Sequence, residues 1–334
     1  MQASREVVDL ITGAWRTQAV YTAVKLGLPD HIESGQVSSR ALAERTGVSE
    51  DVVHRLMRLL VSLAVFEGDE RTGYRNTALS STLLSGRPGS LRDMCLLYGE
   101  EFYTAWGHAQ TAVATGIPGF EQAYGQSLIT YLSKDEEAAA RFQRAMQASN
   151  FVFDHVPEAL DFSGGPMVVD VGGGSGQLLA SVLRATPDAR GTLVDLDHMV
   201  PIAREQLAAA VGLDRVELVA RDIFASVPAG GDVYLLSRVL GDWDDDACVQ
   251  LLGNIRRAMA DIPAARLVVL ERVTADDGST VLAALWDLHL LVMNGGRQRT
   301  LDDYRSLFAR SGLRLARTRD LPMETTALVA EPTS

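Results

Sequence analysis

The sequence predicts an α/β protein: a mainly helical, winged-helix-like N-terminal part, and a seven-stranded sheet with helices on both faces after it. Three observations carry this. From residue 160 onward short apolar runs alternate with helical stretches, the pattern of a parallel sheet. Within that half, Met167-Val168-Val169-Asp170-Val171 leads into Gly172-Gly173-Gly174-Ser175-Gly176 and then into the helical Gln177-Leu178-Leu179-Ala180-Ser181-Val182-Leu183. Strand, glycine turn, helix is the order of a nucleotide-binding βα unit. Before residue 160, apolar residues recur three and four apart instead.

The glycine loop is the centre of the chain's chemistry. Glycine permits backbone angles closed to other residues, so the main chain can approach a ligand closely. About twenty residues on, Gly191-Thr192-Leu193-Val194-Asp195 reads as a second strand ending in a carboxylate that can take both hydroxyls of a ribose. A bound adenosine cofactor is therefore favoured over a plain tight turn. The loop lacks the spacing of G-x-G-x-x-G, and Asp170 at the strand end would repel a pyrophosphate. A carboxylate there suits a cationic cofactor such as S-adenosyl-L-methionine (SAM), which carries an amino group and a sulfonium and no phosphates.

With 334 residues the chain can hold one large domain or two modest ones. Hydrophobic residues at 47% and charged residues at 22% are those of a soluble globular protein, expected in the cytoplasm. A net charge of -12 would repel the phosphates of nucleic acid. No apolar run is long enough to span a bilayer, and no signal-peptide pattern opens the chain. Cys95 and Cys248 lack motif spacing and read as thiols in a reducing compartment. The six histidines are scattered and pair with no acid at ligand spacing, so no metal is expected.

Residues 5–33 read as helical, broken at Leu28-Pro29-Asp30, where Asp30 could cap the next helical segment. Ser38 to Leu63 reads as helix, turn, helix, with Ser49 capping the second and Val52, Val53, Leu56, Met57, Leu59 and Leu60 on its buried face. Gly73-Tyr74-Arg75-Asn76-Thr77 suggests a small β wing. A winged helix raises DNA binding, and the second helix carries His54, Arg55 and Arg58. The acidic chain favours a packing module instead, since such units host many functions. Ser90 to Thr115 reads as a further helical region, and Asp135 to Phe153 as another with acids in its first turn. Both carry rows of aromatics and Met, more often core than pocket; part of that surface is a candidate lid over a flat apolar substrate.

In the second half the strands are 167–171, 191–195, 216–220, 232–237 and 266–271, followed by Leu313 to Leu321 and Thr325 to Ala330. No helix fits between the last two, so they should form an antiparallel hairpin, giving seven strands with an antiparallel last one. Ligands in such sheets sit at the carboxyl ends of the strands. Asp170 to Gly176, Asp195, Arg221-Asp222-Ile223-Phe224, Ser237 to Trp243 and Glu271 all fall on that edge. Asp222, beside Ile223 and Phe224, could accept the amino hydrogens of an adenine, or serve only as a cap or turn residue. The acids of Asp242-Trp243-Asp244-Asp245-Asp246 suit a helix start on dipole grounds alone, which leaves Asp242 and Trp243 for function.

Together these residues resemble the SAM-dependent small-molecule O-methyltransferases of the plant caffeate type and their actinobacterial relatives in antibiotic biosynthesis. The likeness runs through nearly the whole chain. It includes Trp106-Gly107-His108, Thr115-Gly116-Ile117-Pro118-Gly119-Phe120, Phe142-Gln143-Arg144-Ala145-Met146, the Val169 to Gly176 loop and Val194-Asp195-Leu196. Arg221-Asp222-Ile223-Phe224, Gly241-Asp242-Trp243-Asp244-Asp245 and Asn294-Gly295-Gly296-Arg297-Gln298-Arg299-Thr300 complete it. The resemblance implies a class I methyltransferase (Rossmann-like) sheet. It divides the chain into a winged-helix-like dimerisation domain over 1–100, a helical linker or lid over 101–160 and a SAM-binding catalytic domain over 161–334. It also implies a homodimer through the N-terminal helices. Gly172 and Gly174 would pass under the methionine part of SAM or S-adenosyl-L-homocysteine. Asp195, with Leu196, would hold the ribose, and Asp222, Ile223 and Phe224 the adenine. Ser237 would lie near the cofactor and Trp243 near the adenine. The small-molecule acceptor would touch Trp106, His108, Met146, Asn150, His289, Met293 and Asn294.

The chain departs from the family's pattern at the chemistry. The family's general base is a His immediately before Asp-Trp, and that position is Gly241. A second family acid is replaced by Gln298, so of a His and two acids Glu271 alone remains. A His base accelerates by about 10²–10⁴-fold, while alignment of the reacting atoms contributes about 7–11 kcal/mol. An enzyme can therefore lose the base and work by positioning. Three readings stand. The first is O-methylation of a hydroxyl on a planar aromatic or polyketide-like secondary metabolite that is acidic or is deprotonated by another group, with His108, His155 or His289 as candidates. Ranked second is SAM retained as a fixed positive charge for hydroxylation, decarboxylation or pericyclic chemistry. The other is methylation of nitrogen or carbon. A ligand-sensing DNA-binding regulator is a fourth, opposed by charge.

Overall fold

A computed structural model of the chain describes residues 2–148 and 150–333. Its backbone forms two compact units, Met1–Trp106 with Ile129–Ser149, and Gly107–Leu128 with Asn150–Ser334. The stretch 101–160 that the sequence sets apart is shared between them. No helix among the described residues is long and apolar enough to cross a membrane, and they contain no metal-competent cluster of His, Cys, Asp or Glu.

The first unit is helical. Gln2–Ile11 and Gly13–Lys25 lead to Leu28–Glu33, Ser39–Thr46 and Glu50–Ser62. Phe66–Glu67 pairs antiparallel with Arg75–Asn76, which is the expected wing. Leu42, Val53, Met57, Leu60 and Phe66 form its core. Five local expectations are corrected. Val52 and Leu59, expected on the buried face of Glu50–Ser62, are exposed. Gly27, with φ +68°, precedes the third helix as its N-cap, so Asp30 lies inside the first turn and accepts instead from the Ser85 amide and hydroxyl, both at 2.9 Å. Ser49 occupies the N-cap position of Glu50–Ser62 but makes no side-chain cap. The region 90–115 is three helices, Arg92–Gly99, Glu101–Trp106 and Ala109–Thr115, and the first break falls where Glu100 leaves helical geometry at ψ -91°. Glu100 is held there by the Tyr21 hydroxyl at 2.7 Å and Arg141 at 3.0 Å. Likewise 135–153 is two elements, the α-helix Glu136–Ala148 and the 3₁₀ helix Asn150–His155.

The second unit is built on the predicted sheet. Its strands are β1 Met167–Val171, β2 Arg190–Asp195, β3 Val216–Ala220, β4 Val233–Ser237, β5 Arg266–Thr274, β6 Leu313–Leu321 and β7 Thr325–Pro332. Their order is β3-β2-β1-β4-β5-β7-β6. β7 runs antiparallel to both neighbours, with Ala327 opposite Leu270 on β5 and opposite Arg319 on β6. A two-residue strand, Arg299–Thr300, pairs with the end of β5 and was not foreseen. Side chains alternate between faces along a strand, and here both faces are buried. Val168, Leu235 and Val268 pack on one side with Leu179 and Leu183; Val169, Leu236 and Val269 pack on the other with Leu251, Ile255 and Phe308. Each such side chain stabilises the sheet by about 1.5–3 kcal/mol. Because β1 and β4 are adjacent while their helices leave to opposite sides, a crevice opens at their carboxyl ends.

Candidate active site

Around that crevice the glycine loop comes first. The Gly172 amide bonds the Val194 carbonyl at 2.8 Å, which draws the loop against β2. A Cβ at Gly173 would lie 2.7 Å from the Asp170 carboxyl and 2.8 Å from Leu193, so no side chain fits there. Gly174, at φ +57°, faces open space. The loop thus presents bare backbone outward while Asp170 stands beneath it.

Asp170 is 1% exposed, and its Oδ2 has no hydrogen-bond partner among the described residues. Burial and then the nearby Asp195 charge push its carboxyl up to about 7. A buried, unpaired acid oxygen is costly without a donor or cation beside it. Asp195 ends β2, and its two oxygens take the Gly174 amide at 2.8 Å and the Leu196 amide at 2.7 Å.

On the same edge, Asp222 accepts from the Phe224 amide at 2.8 Å, so it closes a turn whatever else it does. Asn254 bonds the Ile223 and Phe224 carbonyls from below at 2.9 and 2.8 Å. Phe224 and Trp243 meet edge to face with ring centres 4.7 Å apart. Ser237 ends β4 with its hydroxyl buried and without a partner among the described residues. An unpaired carboxylate, an open glycine cradle, a strand-end Asp195 and a pair of aromatic rings fit a cationic adenosyl cofactor.

Beyond them lies the 3₁₀ turn Leu240–Asp242. Glu271, 1% exposed on β5, accepts from the Leu240 amide at 3.1 Å, and the Gly241 amide also stabilises its charge. Burial, then the Asp242 charge, pushes the Glu271 carboxyl up to about 7. Glu271 is therefore tied to backbone amides. A Cβ at Gly241 would stand 3.3 Å from Leu290 and 3.7 Å from the Gln298 amide nitrogen. Gln298 is buried, its Oε1 has no partner among the described residues, and its backbone amide donates to Asp287 at 2.7 Å. The Asn294 amide donates to Asp242 at 2.8 Å, and the Arg297 amide to the Gly241 carbonyl at 2.8 Å.

Of the residues expected around an acceptor, Asn150, His289, Met293 and Asn294 share this unit, and His108 precedes its helix Ala109–Thr115. Trp106 and Met146 belong to the first unit. Met293 and His289 are buried, and burial pushes the His289 imidazole down to about 4, which leaves it neutral. It packs edge-on against Trp286 at 5.1 Å. His155 lies instead beside Glu158 at 3.3 Å.

Two arginines escaped sequence reasoning. Arg299, 0% exposed, bonds the Leu240 carbonyl at 2.7 Å, the Trp243 carbonyl at 2.8 Å and Asp245 at 2.7 Å, locking the turn. Its place beside Gln298 was the only signal. Arg238, straight after β4, has a left-handed backbone at φ +55°, worth roughly 1–2 kcal/mol of strain for a residue with a side chain. Its guanidinium bonds the Asn150 carbonyl oxygen and lies 5.0 Å over the Phe153 ring, while the Asn150 amide donates to Gln177. Nothing in the pattern of the chain marks that conformation.

Comparison with known proteins gives this arrangement its context. The family model described as the O-methyltransferase domain matches residues 106–314, and the O-methyltransferase dimerisation domain matches residues 8–86. A phenazine-1-carboxylate N-methyltransferase from Pseudomonas aeruginosa is 45% identical over 99% of this chain and 98% of its own. A 3-amino-4-hydroxybenzoate 4-O-methyltransferase from Streptomyces cremeus is 40% identical over 98% of this chain and 90% of its own. Among solved structures, the pyocyanin biosynthetic protein PhzM superposes with a TM-score of 0.90 at 44% identity, covering 99% of both chains. Human N-acetylserotonin methyltransferase in complex with SAM superposes at 0.89 with 27% identity, covering 100% of this chain and 99% of its own. The chain belongs to the SAM-dependent O-methyltransferase family, with that family's dimerisation domain and class I methyltransferase fold, and is a SAM-dependent methyltransferase.

Proposed function

We propose that this enzyme methylates a planar aromatic acid by positioning, at an atom that needs no general base. The observation that carries the reading is the turn at 240–242. Residue 241 has no side chain, and Glu271 is committed to backbone amides. When bound, the cofactor supplies an electrophilic methyl group on a sulfonium. A heteroaromatic nitrogen takes that methyl with its lone pair and loses no proton, so an empty base position costs nothing. The 45% identity to an N-methyltransferase of phenazine-1-carboxylate points the same way. A hydroxyl already ionised at neutral pH is the second reading, favoured by the family model and by the O-methylating relative.

In this reading Asp170 faces the cationic end of the cofactor, and Gly172 and Gly174 underlie its methionine part. Asp195 with Leu196 holds the ribose. Asp222, Ile223, Phe224 and Trp243 surround the adenine, and Ser237 lies beside it. Asn150, His289, Met293 and Asn294 hold the acceptor, with Gln298 next to Gly241. Two copies of the chain associate through their N-terminal helices.

The test is mass analysis after incubation with SAM and either phenazine-1-carboxylate or 3-amino-4-hydroxybenzoate, following S-adenosylhomocysteine in parallel. A methylated product formed in step with S-adenosylhomocysteine supports the proposal, and fragmentation places the methyl on nitrogen or oxygen. SAM bound but unconsumed while an aromatic acid is altered sinks it in favour of non-methylating chemistry.

A further inference from the structure

We infer that Glu324 is a positioning residue for the acceptor: it fixes the helix that carries the acceptor contacts, and the inference rests on the acceptor site proposed above. That helix is Val281–Asn294, and His289, Met293 and Asn294 lie in its second half. Its C-terminal half is anchored from within the site, since Asn294 donates to Asp242 and Asp287 accepts the Gln298 amide. Its N-terminal end has no such support from its own sequence. Thr280 stands at the N-cap without a side-chain cap, its hydroxyl accepting instead from the Ala275 amide at 3.0 Å, and no acid falls in the first turn. The cap comes from 41 residues away: the Glu324 carboxylate accepts from the amide of the buried Ala283 at 2.8 Å. Ala283 is the third residue of the helix, so its amide has no partner inside the helix. A carboxylate there also meets the positive end of the helix dipole.

The turn that delivers Glu324 is strained. Pro322 to Thr325 closes the β6–β7 hairpin, with the Thr325 amide on the Pro322 carbonyl at 3.3 Å. Both central residues are left-handed, Met323 at φ +61° and Glu324 at φ +51°. Asn-Gly suits such a turn, yet this chain places there a side chain that reaches the helix. Strained residues persist where their surroundings over-determine them, and they concentrate at functional sites. The turn also sits beside the site's own edge, because Thr325 and Thr326 on β7 lie opposite Arg272 and Glu271 on β5. The Arg272 guanidinium lies 4.6 Å over the Trp286 ring, and Trp286 meets His289 edge-on. Glu324 and Arg272 therefore index the helix to the Glu271 edge at two points ahead of His289.

Glu324→Gly separates positioning from stability. Glycine takes the left-handed angle without strain, so this variant loses the cap and should keep its Tm. Calorimetry on the full-length protein loaded with S-adenosylhomocysteine should show phenazine-1-carboxylate bound about 3- to 10-fold more weakly, the loss of a helix cap. SAM binding to the unloaded protein should stay within about twofold. Glu324→Gln, whose amide oxygen can still accept from Ala283, should recover most of the acceptor affinity. Hydrogen exchange on the loaded protein reads the helix with no acceptor present. In Glu324→Gly, faster exchange should run from Ala283 past Trp286 into His289 to Asn294, and Glu324→Gln should restore protection. Exchange that quickens only in the first turn overturns the inference. So does an unchanged acceptor affinity, an equal loss of SAM, or a fall in the Tm of Glu324→Gly that accompanies its loss of binding. If the wild type binds neither phenazine-1-carboxylate nor 3-amino-4-hydroxybenzoate, the function proposed above falls, and exchange over 289–294 decides this inference alone.

Discussion

Asp170 and Asp195 stand 25 residues apart in the chain and share one field in the fold, and their chemistry can be tested singly. Without cofactor the Asp170 carboxyl titrates near 7, because burial and the Asp195 charge both favour its protonated form. A cation arriving beside it favours the ionised form, so binding releases a proton wherever Asp170 is still protonated. SAM affinity should therefore weaken by up to about tenfold per pH unit below 7 and level off above it. Asp170→Asn should flatten that profile in calorimetry, and a profile unchanged by the substitution would remove Asp170 from the site. For the fold without cofactor the sign reverses. The folded chain keeps a proton that the unfolded chain gives up near pH 4, so this group's contribution to stability declines as pH rises from about 4 to about 7. Asp195→Ala removes the acceptor for two backbone amides and for the ribose. Its SAM Kd should rise by roughly 100-fold, in line with about 1.5–3 kcal/mol for a hydrogen bond to a charged group. An unchanged Kd would move the ribose elsewhere.

Between the turn 240–242 and the loop 294–298 the fit is close enough to be brittle. A Cβ on Gly296 would lie 2.4 Å from the Gly241 carbonyl oxygen, which is backbone and cannot swing aside. Gly296→Ala should cost about 1–3 kcal/mol and lower Tm by several degrees in a thermal melt; an unaltered Tm would show the loop to be slack. At Gly241 a Cβ makes its tightest contact with Leu290 at 3.3 Å and stands 3.5 Å from the Arg297 carbonyl oxygen, so Gly241→His should fold with a smaller loss. Elements of this kind mark the limit of what was legible in the sequence. The strands β1 to β7 were read within a few residues, and the antiparallel β7 with them; the central strands β1, β4 and β5 are buried on both faces and leave continuous apolar runs. The strand-end acids followed from that register. Helix breaks at Gly27 and Glu100 were misplaced, since a hydrogen bond from Tyr21 or a left-handed glycine can end a helix with no change in apolar spacing. The grip of Glu271 on backbone amides, the left-handed Arg238 and the buried Arg299 were invisible for a related reason. Each depends on side chains and backbone brought together from distant parts of the chain.

For the molecule as a whole, the dimer proposed above has a candidate surface. The first helix, Gln2–Ile11, buries none of its residues, and Leu10 is 81% and Trp15 69% exposed. An exposed apolar row of that kind suits an interface, and the matched dimerisation domain begins at residue 8. Light scattering should give the mass of two chains, and Leu10→Glu with Trp15→Glu should shift it to one. A monomeric wild type would end the proposal. The placing of β7 has a kinetic consequence. β6 and β7 are neighbours in sequence and can zip together early, but β5 is separated from them by the residues that build the helix Val281–Asn294 and the turn lock. Until the hairpin docks, β5 presents the bare hydrogen-bonding groups of Leu267-Val268-Val269-Leu270, a ready template for a strand of another molecule. Refolding yield should therefore fall with protein concentration, and the docking of this hairpin, rather than formation of the glycine loop, sets the interval during which the chain is exposed to misassembly.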